Sequence, residues 1–538
     1  MKHRNYILSL IVYLLLALIL GRFFYWQIIK NQELKEKSLS QTYKLIKSFP
    51  KRGLILASDD YPLTLNENSF ILSIYKPNLK TDLKSILAQI ESIKPKFLEL
   101  NQTTIDHFQN KMEQKWIQFN TLFSISEKNN LEKISGLEFT SQATRYYPEA
   151  TLAKNILGII AKNDQGNYKG YGGLEGYYDK ILSGRTGFSW TTRNALNQTI
   201  LTKQGWKITE IDGQNIKTSI NRSLQNILEK KIELGVNNYQ ADIGMATIMD
   251  SKTGQIIAMA NFTNNKTAST SADINQNISY LFEPGSVFKP IFMAIGLDSK
   301  KIDENIVCPC NQPLTIGQYT INNWDEKLHP GSTLKDIIRN SDNIGMATIS
   351  KNLNSDTLTK YSEILGLAKK SGIDLQGESR PIIKKNWGKI DIANASFGQG
   401  FAITQIQLIK MFNSLVYGQL VTPKVVVNNS PDPDNVFSQK TRENIKSYMK
   451  YAVESGNMNK YKNKDIEVCA KSGTAQIAYQ GKYDENQTIA SYIGFSPCNN
   501  PKFTMIITLV RPKTSPWAEG TAGPMWYDIA NDIYRIIK

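Results

Sequence analysis

The run from Tyr6 to Ile29 constrains this chain more than any other stretch, because an ordinary soluble core has no room for so long an apolar segment. It exceeds the ~20 residues that an α-helix needs to cross the hydrocarbon of a bilayer. Lys2, His3 and Arg4 precede it. Phe23, Phe24, Tyr25 and Trp26 close it with the aromatic cluster favoured at a membrane interface, where Arg22 can snorkel. A cleaved signal peptide would need a small-x-small site around Ala17 to Gly21, and none is present. The expectation is one retained transmembrane helix over residues 6–29. Positive flanks stay inside, so residues 1–5 form a cytoplasmic tip and the chain after residue 30 lies outside the cytoplasmic membrane.

The remainder of a 538-residue chain is too long for one core, so further domains are expected. Its 64 Lys and Arg exceed its 48 Asp and Glu, for a net charge of +16. Those cations are scattered and form no patch with interleaved aromatics, so nucleic acid is not an expected partner. Cys308, Cys310, Cys469 and Cys498 fall in the exterior part, where disulfides form. Four cysteines allow three pairings, and the sequence does not choose among them. Cys308-Pro309-Cys310 lacks a second ligand pair, and the chain has only three histidines. No metal site and no cofactor are expected.

From 30 to 210 the pattern is interrupted, with a charged, helical stretch around Lys80 to Asn130 and glycine punctuation from Gly166 to Gly176. This reads as an extended pedestal, and the catalytic domain is placed at 211–538. There, Asn221 to Gly235 carries Leu224, Ile227, Leu228, Ile232 and Leu234 at near-helical spacing. Apolar runs at Ile243 to Met249 and Ile256 to Ala260 flank a turn at Asp250 to Gly254, as in a hairpin. Three more strand-like runs, Ile466 to Ala478, Thr488 to Phe495 and Phe503 to Val510, are joined by loops bearing Gly481 and Pro497 to Pro501. A final helix is expected from Pro524 to Ile537. The predicted fold class is α+β, a five-stranded antiparallel sheet flanked by helices with a helical insertion between its halves.

Ser286 and Lys289, in Glu283-Pro284-Gly285-Ser286-Val287-Phe288-Lys289, stand three apart at a helix start, a spacing that places both on one face. A serine hydroxyl needs an adjacent base, and a lysine stripped of its proton in a dry pocket serves. The first helical turn would also offer a backbone amide to a developing oxyanion. Alone, this spacing is common in ordinary helix starts. Downstream, Ser341-Asp342-Asn343 supplies a second hydroxyl and an amide, and Lys471-Ser472-Gly473-Thr474 lies in a predicted strand. A glycine inside a strand is a liability unless another backbone or a substrate must come close. Ser-x-x-Lys, Ser-x-Asn and Lys-Ser/Thr-Gly in that order make a specific set.

With those three boxes in place, the chain resembles class B penicillin-binding proteins, and the resemblance runs nearly end to end. Arg52-Gly53-Leu54-Ile55, Arg145-Tyr146-Tyr147-Pro148, Gly158 and Gly172-Gly173-Leu174-Glu175 are similar to the family's pedestal landmarks. Ser396-Phe397-Gly398-Gln399-Gly400 with Thr404 and Gln407 matches a further catalytic-domain stretch. Ala57-Ser58 stands where the family usually has Asp-Arg, which puts the salt-bridging of that segment in doubt. The resemblance implies a peptidoglycan D,D-transpeptidase on the penicillin-binding and serine β-lactamase fold. In it Ser286 is the acyl acceptor, Lys289 its base, Ser341 a proton relay and Asn343 a holder of the substrate amide. Lys471 and Ser472 would engage the terminal carboxylate, and the amides of Ser286 and Thr474 would form the oxyanion hole. The implied partners are peptidoglycan stem peptides, β-lactams, the plasma membrane, a polytopic glycan polymerase and divisome proteins. Glu283 to Ser286, Ser341 to Met346 and Gly520 to Pro524 look more like division-type than elongation-type members.

Two rival chemistries use the same boxes. A class A β-lactamase activates water with a Glu-x-x-x-Asn box, but four residues after Glu378 stands Ile382. A D,D-carboxypeptidase would release the same acyl-enzyme to water, and the sequence separates it less well.

Overall fold

The computed structural model describes residues 2–110, 114–164, 168–193, 199–264, 274–384, 386–427, 433–463, 466–479 and 482–536. Gly166, Gly481 and Ile537, named above, lie outside the described residues. The chain forms two compact units, residues 1–53 with 180–214 and residues 54–179 with 215–538.

In the first unit a helix, Lys2–Phe24, runs into a π turn, Tyr25–Ile29. Within the span Arg4–Ile29 an 18-residue stretch has a mean hydropathy of 2.5 and holds no buried residue, and the helix is long and apolar enough to cross a membrane. A second helix, Asn31–Thr42, follows. The strand Tyr43–Ser48 then pairs antiparallel with Gly187–Arg193, which pairs with Thr199–Ile208. Gly53 of the Arg-Gly motif is packed so closely that a Cβ there would lie 2.0 Å from the Gln214 carbonyl oxygen.

The second unit opens with a three-stranded antiparallel sheet in the order Trp116–Phe123, Leu65–Tyr75, Leu137–Tyr146. Helices Leu83–Ile93 and Phe97–Asn110 cover it over a core that includes Phe97, Phe108, Phe119 and Phe123. The helical reading of residues 80–130 is therefore corrected: a strand interrupts it. Ile117 and Phe119 are buried while Trp116 and Gln118 are exposed, a period of two that the charged helices on either side mask. Two family landmarks meet in this unit, since Arg145 Nε donates to Glu175 Oε1 at 2.7 Å with both side chains buried. The missing Asp-Arg pair leaves no gap in charge pairing, because Asp59 pairs with Arg222 at 3.2 Å and Asp60 with Lys217 at 2.8 Å.

The catalytic half begins with helix α1 (Arg222–Tyr239), capped by the Asn221 side chain. Leu224, Leu228, Ile232 and Val236 turn to the core, while Leu234 faces solvent. The helix covers the sheet built from β1 (Ile243–Asp250), β2 (Ile256–Thr263), β3 (Cys469–Tyr479), β4 (Lys482–Ser496) and β5 (Phe503–Val510). The order is β2-β1-β5-β4-β3 and every pairing is antiparallel, so the terminal strand β5 inserts beside the hairpin and leaves β3 on the edge. The final helix, Ala522–Ile536, packs Trp526 against Tyr492 and Phe503 and donates its indole N–H to the Met505 carbonyl at 2.9 Å. The other side of the sheet carries the helical insertion, including Gln405–Tyr417, whose Thr404 and Gln407 form a reciprocal N-terminal cap. The open cysteine question resolves into Cys308–Cys310 and Cys469–Cys498, the second tying the start of β3 to the segment after β4.

Candidate active site

Ser286 sits on a tight turn that glycines make possible. Gly285 has φ +61°, and a Cβ on it would come within 3.0 Å of Ala475 Cβ. Its amide donates to the Gly398 carbonyl at 2.9 Å, and a Cβ on Gly398 would lie 2.1 Å from the Gly285 carbonyl oxygen. The Ser-Phe-Gly-Gln-Gly stretch is thus the brace behind the serine turn, and the Gly400 amide adds a bond to Glu283 Oε1 at 2.9 Å. Gly285–Phe288 is a 3₁₀ turn that passes directly into helix α2 (Lys289–Asp298).

Lys289 is completely buried. Its Nζ donates to Asn343 Oδ1 at 2.8 Å, contacts Ser341 Oγ at 3.2 Å, and also donates to the Ser341 carbonyl. The Ser286 hydroxyl is partly exposed and forms no hydrogen bond among the described residues. Three-apart spacing therefore brings Lys289 beneath the site, but its direct partners belong to the second box.

That box joins α3 (Leu334–Asn340) to α4 (Asn343–Ser350). Ser341 ends α3 with φ +52°, a left-handed conformation that costs a non-glycine residue and is typical of sites under functional constraint. Asp342, fully buried, caps α4 by accepting from the Gly345 amide at 2.7 Å. Asn343 Oδ1 accepts from Lys289 Nζ, and its Nδ2 donates to the Asn322 carbonyl at 3.2 Å. The loop before the box is itself fastened, because Asn323 Oδ1 accepts from the amides of Asn343 and Ile344 at 2.8 and 3.1 Å.

The third box lies on edge strand β3. Lys471 is 4% exposed, and its Nζ donates to Ser341 Oγ at 3.1 Å and to the Ser472 carbonyl at 2.7 Å. A Cβ on Gly473 would stand 2.8 Å from Val287 N and from Val287 Cγ1, so only glycine lets the strand come this close to the serine turn. Thr474 accepts from the Ala518 amide at 3.2 Å. Burial pushes the Lys289 ammonium well below its ordinary pKa and the charge of Lys471 pushes the same way, opposed by Asp342. Burial lowers Lys471 to about 8, with Glu519 opposing.

A cleft of about 590 Å³ brings Ser286, Ser341, Asn343, Ser472, Gly473 and Thr474 to one surface. Sequence reasoning missed several of its walls. Trp324 and Trp517 meet edge-on with ring centroids 5.2 Å apart, and Trp324 Nε1 donates to the Asn340 carbonyl at 3.0 Å. Arg339 reaches Ser455 Oγ at 3.0 Å, and Asn457 Nδ2 donates to Glu519 Oε2 at 3.1 Å. The only signal for Trp324 and Trp517 was the placing of two tryptophans in polar loops, and Arg339, Asn457 and Glu519 gave none. Glu378 does not line this cleft; it is buried elsewhere, bonded to the Ser371 amide at 2.5 Å.

Residues 244–535 match the family model described as the penicillin-binding protein transpeptidase domain, and residues 47–218 match the penicillin-binding protein dimerisation domain. The probable peptidoglycan D,D-transpeptidase PenA of Neisseria gonorrhoeae is 24% identical over 97% of this chain and 91% of its own length. The peptidoglycan D,D-transpeptidase FtsI of Escherichia coli K12 is 26% identical over 76% of this chain and 69% of its own. Among solved structures, Helicobacter pylori PBP2, determined in complex with MreC, superposes with a TM-score of 0.74 at 21% identity, covering 92% of this chain and 99% of that one. Penicillin-binding protein 2X of Streptococcus thermophilus gives 0.73 at 21% identity, covering 91% and 80%. The chain belongs to the penicillin-binding protein transpeptidase family, and the dimerisation domain ahead of the transpeptidase domain places it in class B.

Proposed function

We propose that this chain is a peptidoglycan D,D-transpeptidase in which Ser286 attacks the D-Ala-D-Ala amide of a stem peptide, forms an acyl-enzyme and passes the acyl group to an acceptor amine. The observation that carries this reading is the convergence of both other boxes on Ser341 Oγ, which lies 3.2 Å from Lys289 Nζ and 3.1 Å from Lys471 Nζ. A neutral Lys289 has two N–H groups, and the Asn343 Oδ1 and Ser341 carbonyl acceptors use both. Its lone pair is then left for the Ser341 hydroxyl proton. A proton leaving Ser286 passes to Ser341 and on to Lys289, and returns along the same path to the departing amine. Lys471 spends two of its three N–H groups inside the protein, and the third serves the terminal carboxylate with Ser472. The amides of Ser286 and Thr474 take the oxyanion.

Penicillin presents the same carboxylate and a strained amide, so it acylates Ser286. Its leaving nitrogen stays on the adduct and obstructs an acceptor. Glu378 does not line the cleft, so it gives water no base there and the adduct persists. In this reading residues 6–29 anchor the chain, residues 30–210 are the pedestal and residues 211–538 the catalytic domain. The helix also docks a polytopic glycan polymerase, read by co-purification in mild detergent. The Glu283 to Ser286, Ser341 to Met346 and Gly520 to Pro524 stretches favour a division-type role among divisome proteins.

The test is fluorescent penicillin on the purified chain beside Ser286→Ala, with the labelled peptide identified by mass spectrometry. Label at Ser286 that lasts for hours is expected. Label on the Ser286→Ala protein removes the nucleophile, and release within seconds favours a β-lactamase.

A further inference from the structure

Transpeptidation needs a second substrate, and its nucleophile arrives in the wrong protonation state. A primary amine at the end of a side chain has a pKa of about 10.4, so near neutral pH it enters as an ammonium ion. The cleft that holds Ser286 is rich in cations, with Arg339 and Lys460 among its lining residues. Glu519 lines the same cleft, and among the described residues no cation stands within 4.0 Å of its carboxylate oxygens. Its one hydrogen bond comes from a neutral donor, Asn457 Nδ2, at 3.1 Å. The turn that carries it, Ala518–Gly520, is fixed to the third box by the bond from the Ala518 amide to Thr474 Oγ1 at 3.2 Å. The Lys471 ammonium feels its charge at longer range, but Lys471 Nζ gives its hydrogen bonds to Ser341 Oγ and the Ser472 carbonyl, so it takes none of the Glu519 acceptor sites. A partly buried carboxylate with spare acceptor capacity, next to the strand that holds the departing D-alanine, is complementary to an incoming ammonium.

We infer that Glu519 is a specificity residue for the acceptor, binding the ammonium form of the amine that replaces the terminal D-alanine. This rests on Ser286 carrying the acyl group, as proposed above. The bound ammonium gives one proton to solvent. The free amine then attacks the acyl carbon, the bond from that carbon to Ser286 Oγ breaks, and the second proton returns to Oγ through Lys289 and Ser341. Amide and free serine result, with no other reactant.

The experiment uses the full chain in detergent, a thioester donor ending in a D-alanyl residue, and two acceptors near neutral pH. Nα-acetyl-lysine amide is cationic there and hydroxylamine is not. In Glu519→Gln the ratio of lysine-type to hydroxylamine aminolysis should fall roughly fivefold relative to the parent, the scale of one partly exposed charge contact. Glu519→Lys should lower it further, and Glu519→Asp should restore part of it. A ratio unchanged in both Glu519→Gln and Glu519→Lys overturns the inference even if both reactions slow, because a structural role or an effect through Lys471 acts on the two acceptors alike. If the parent forms no acyl-enzyme at Ser286, the proposed function fails and this inference with it. An acyl-enzyme with an unchanged ratio defeats the inference alone.

Discussion

Ser341 receives two lysines of different character, and the pH dependence of acylation follows from the difference. In the proposed mechanism Lys289 is the free amine, and burial reinforced by the Lys471 charge holds its pKa well below the ordinary lysine range. In the same mechanism Lys471 is the ammonium, and burial brings its pKa down to about 8. Acylation by penicillin should therefore rise as Lys289 deprotonates, at a pH well below the ordinary lysine range, and fall as Lys471 deprotonates near pH 8, two limbs that belong to the coupled pair. Lys471→Met removes a positive neighbour, so Lys289 should hold its proton to higher pH. The acid limb then moves up, the alkaline limb disappears, and the maximum rate drops roughly 10- to 100-fold with the lost charge-assisted bond. Stopped-flow acylation across pH reads this directly, and an acid limb that stays in place would show that Lys471 does not set the Lys289 proton. Each of these residues was legible from its box, but the pattern of contacts was not. The three-apart spacing aligns Ser286 and Lys289 in the observed 3₁₀ turn as well, but it says nothing of the long Lys289 side chain reaching across to Asn343.

At the scale of elements, the site depends on how closely β3 approaches the serine turn. Gly473→Ala would place a methyl 2.8 Å from the Val287 backbone nitrogen, a contact that only movement of the strand or the turn relieves. Overpacking of this kind costs about 1–3 kcal/mol of stability. The expected outcome is a modest fall in thermal midpoint together with at least a tenfold loss of acylation rate, since displacements of about an ångström in a site cost far more in rate than in fold. Calorimetry and penicillin labelling on the same preparation check it, and a variant acylated as fast as the parent would mean that the contact does not position Ser286. The strands of the catalytic sheet were legible because each is a short apolar run closed by turn residues. Their order was not, since nothing local tells β5 to insert between β1 and β4. Trp116–Phe123 was missed because two amphipathic helices precede it and a third follows within two residues, so a window wide enough to find helices averages the strand away.

The whole molecule divides differently by composition and by compactness. Composition changes near residue 210, whereas the contacts gather residues 54–179 with 215–538 and leave 1–53 with 180–214, because the chain leaves the unit that carries the apolar helix and returns to it. Tyr178 hydrogen-bonding to Asp374 at 2.8 Å, with Asp374 also accepting from the amides of Val425 and Val426 at 2.7 and 2.9 Å, shows how firmly the second unit is fastened. Such long-range pairing leaves no trace in local sequence. The apolar span does, and we propose an orientation from its flanks: cations precede it, and a short positive end favours the cytoplasmic side with the chain beyond exported. Peptidoglycan lies outside the cytoplasmic membrane, so the proposed chemistry requires the same orientation that the charges favour. Protease added to intact spheroplasts should remove the catalytic domain, 211–538, while an epitope fused before Met1 stays protected until the membrane is opened. In inverted vesicles the two should exchange. Loss of the epitope with survival of 211–538 in spheroplasts would place the catalytic domain in the cytoplasm, where its substrate is absent, and would overturn the orientation and the proposed function together.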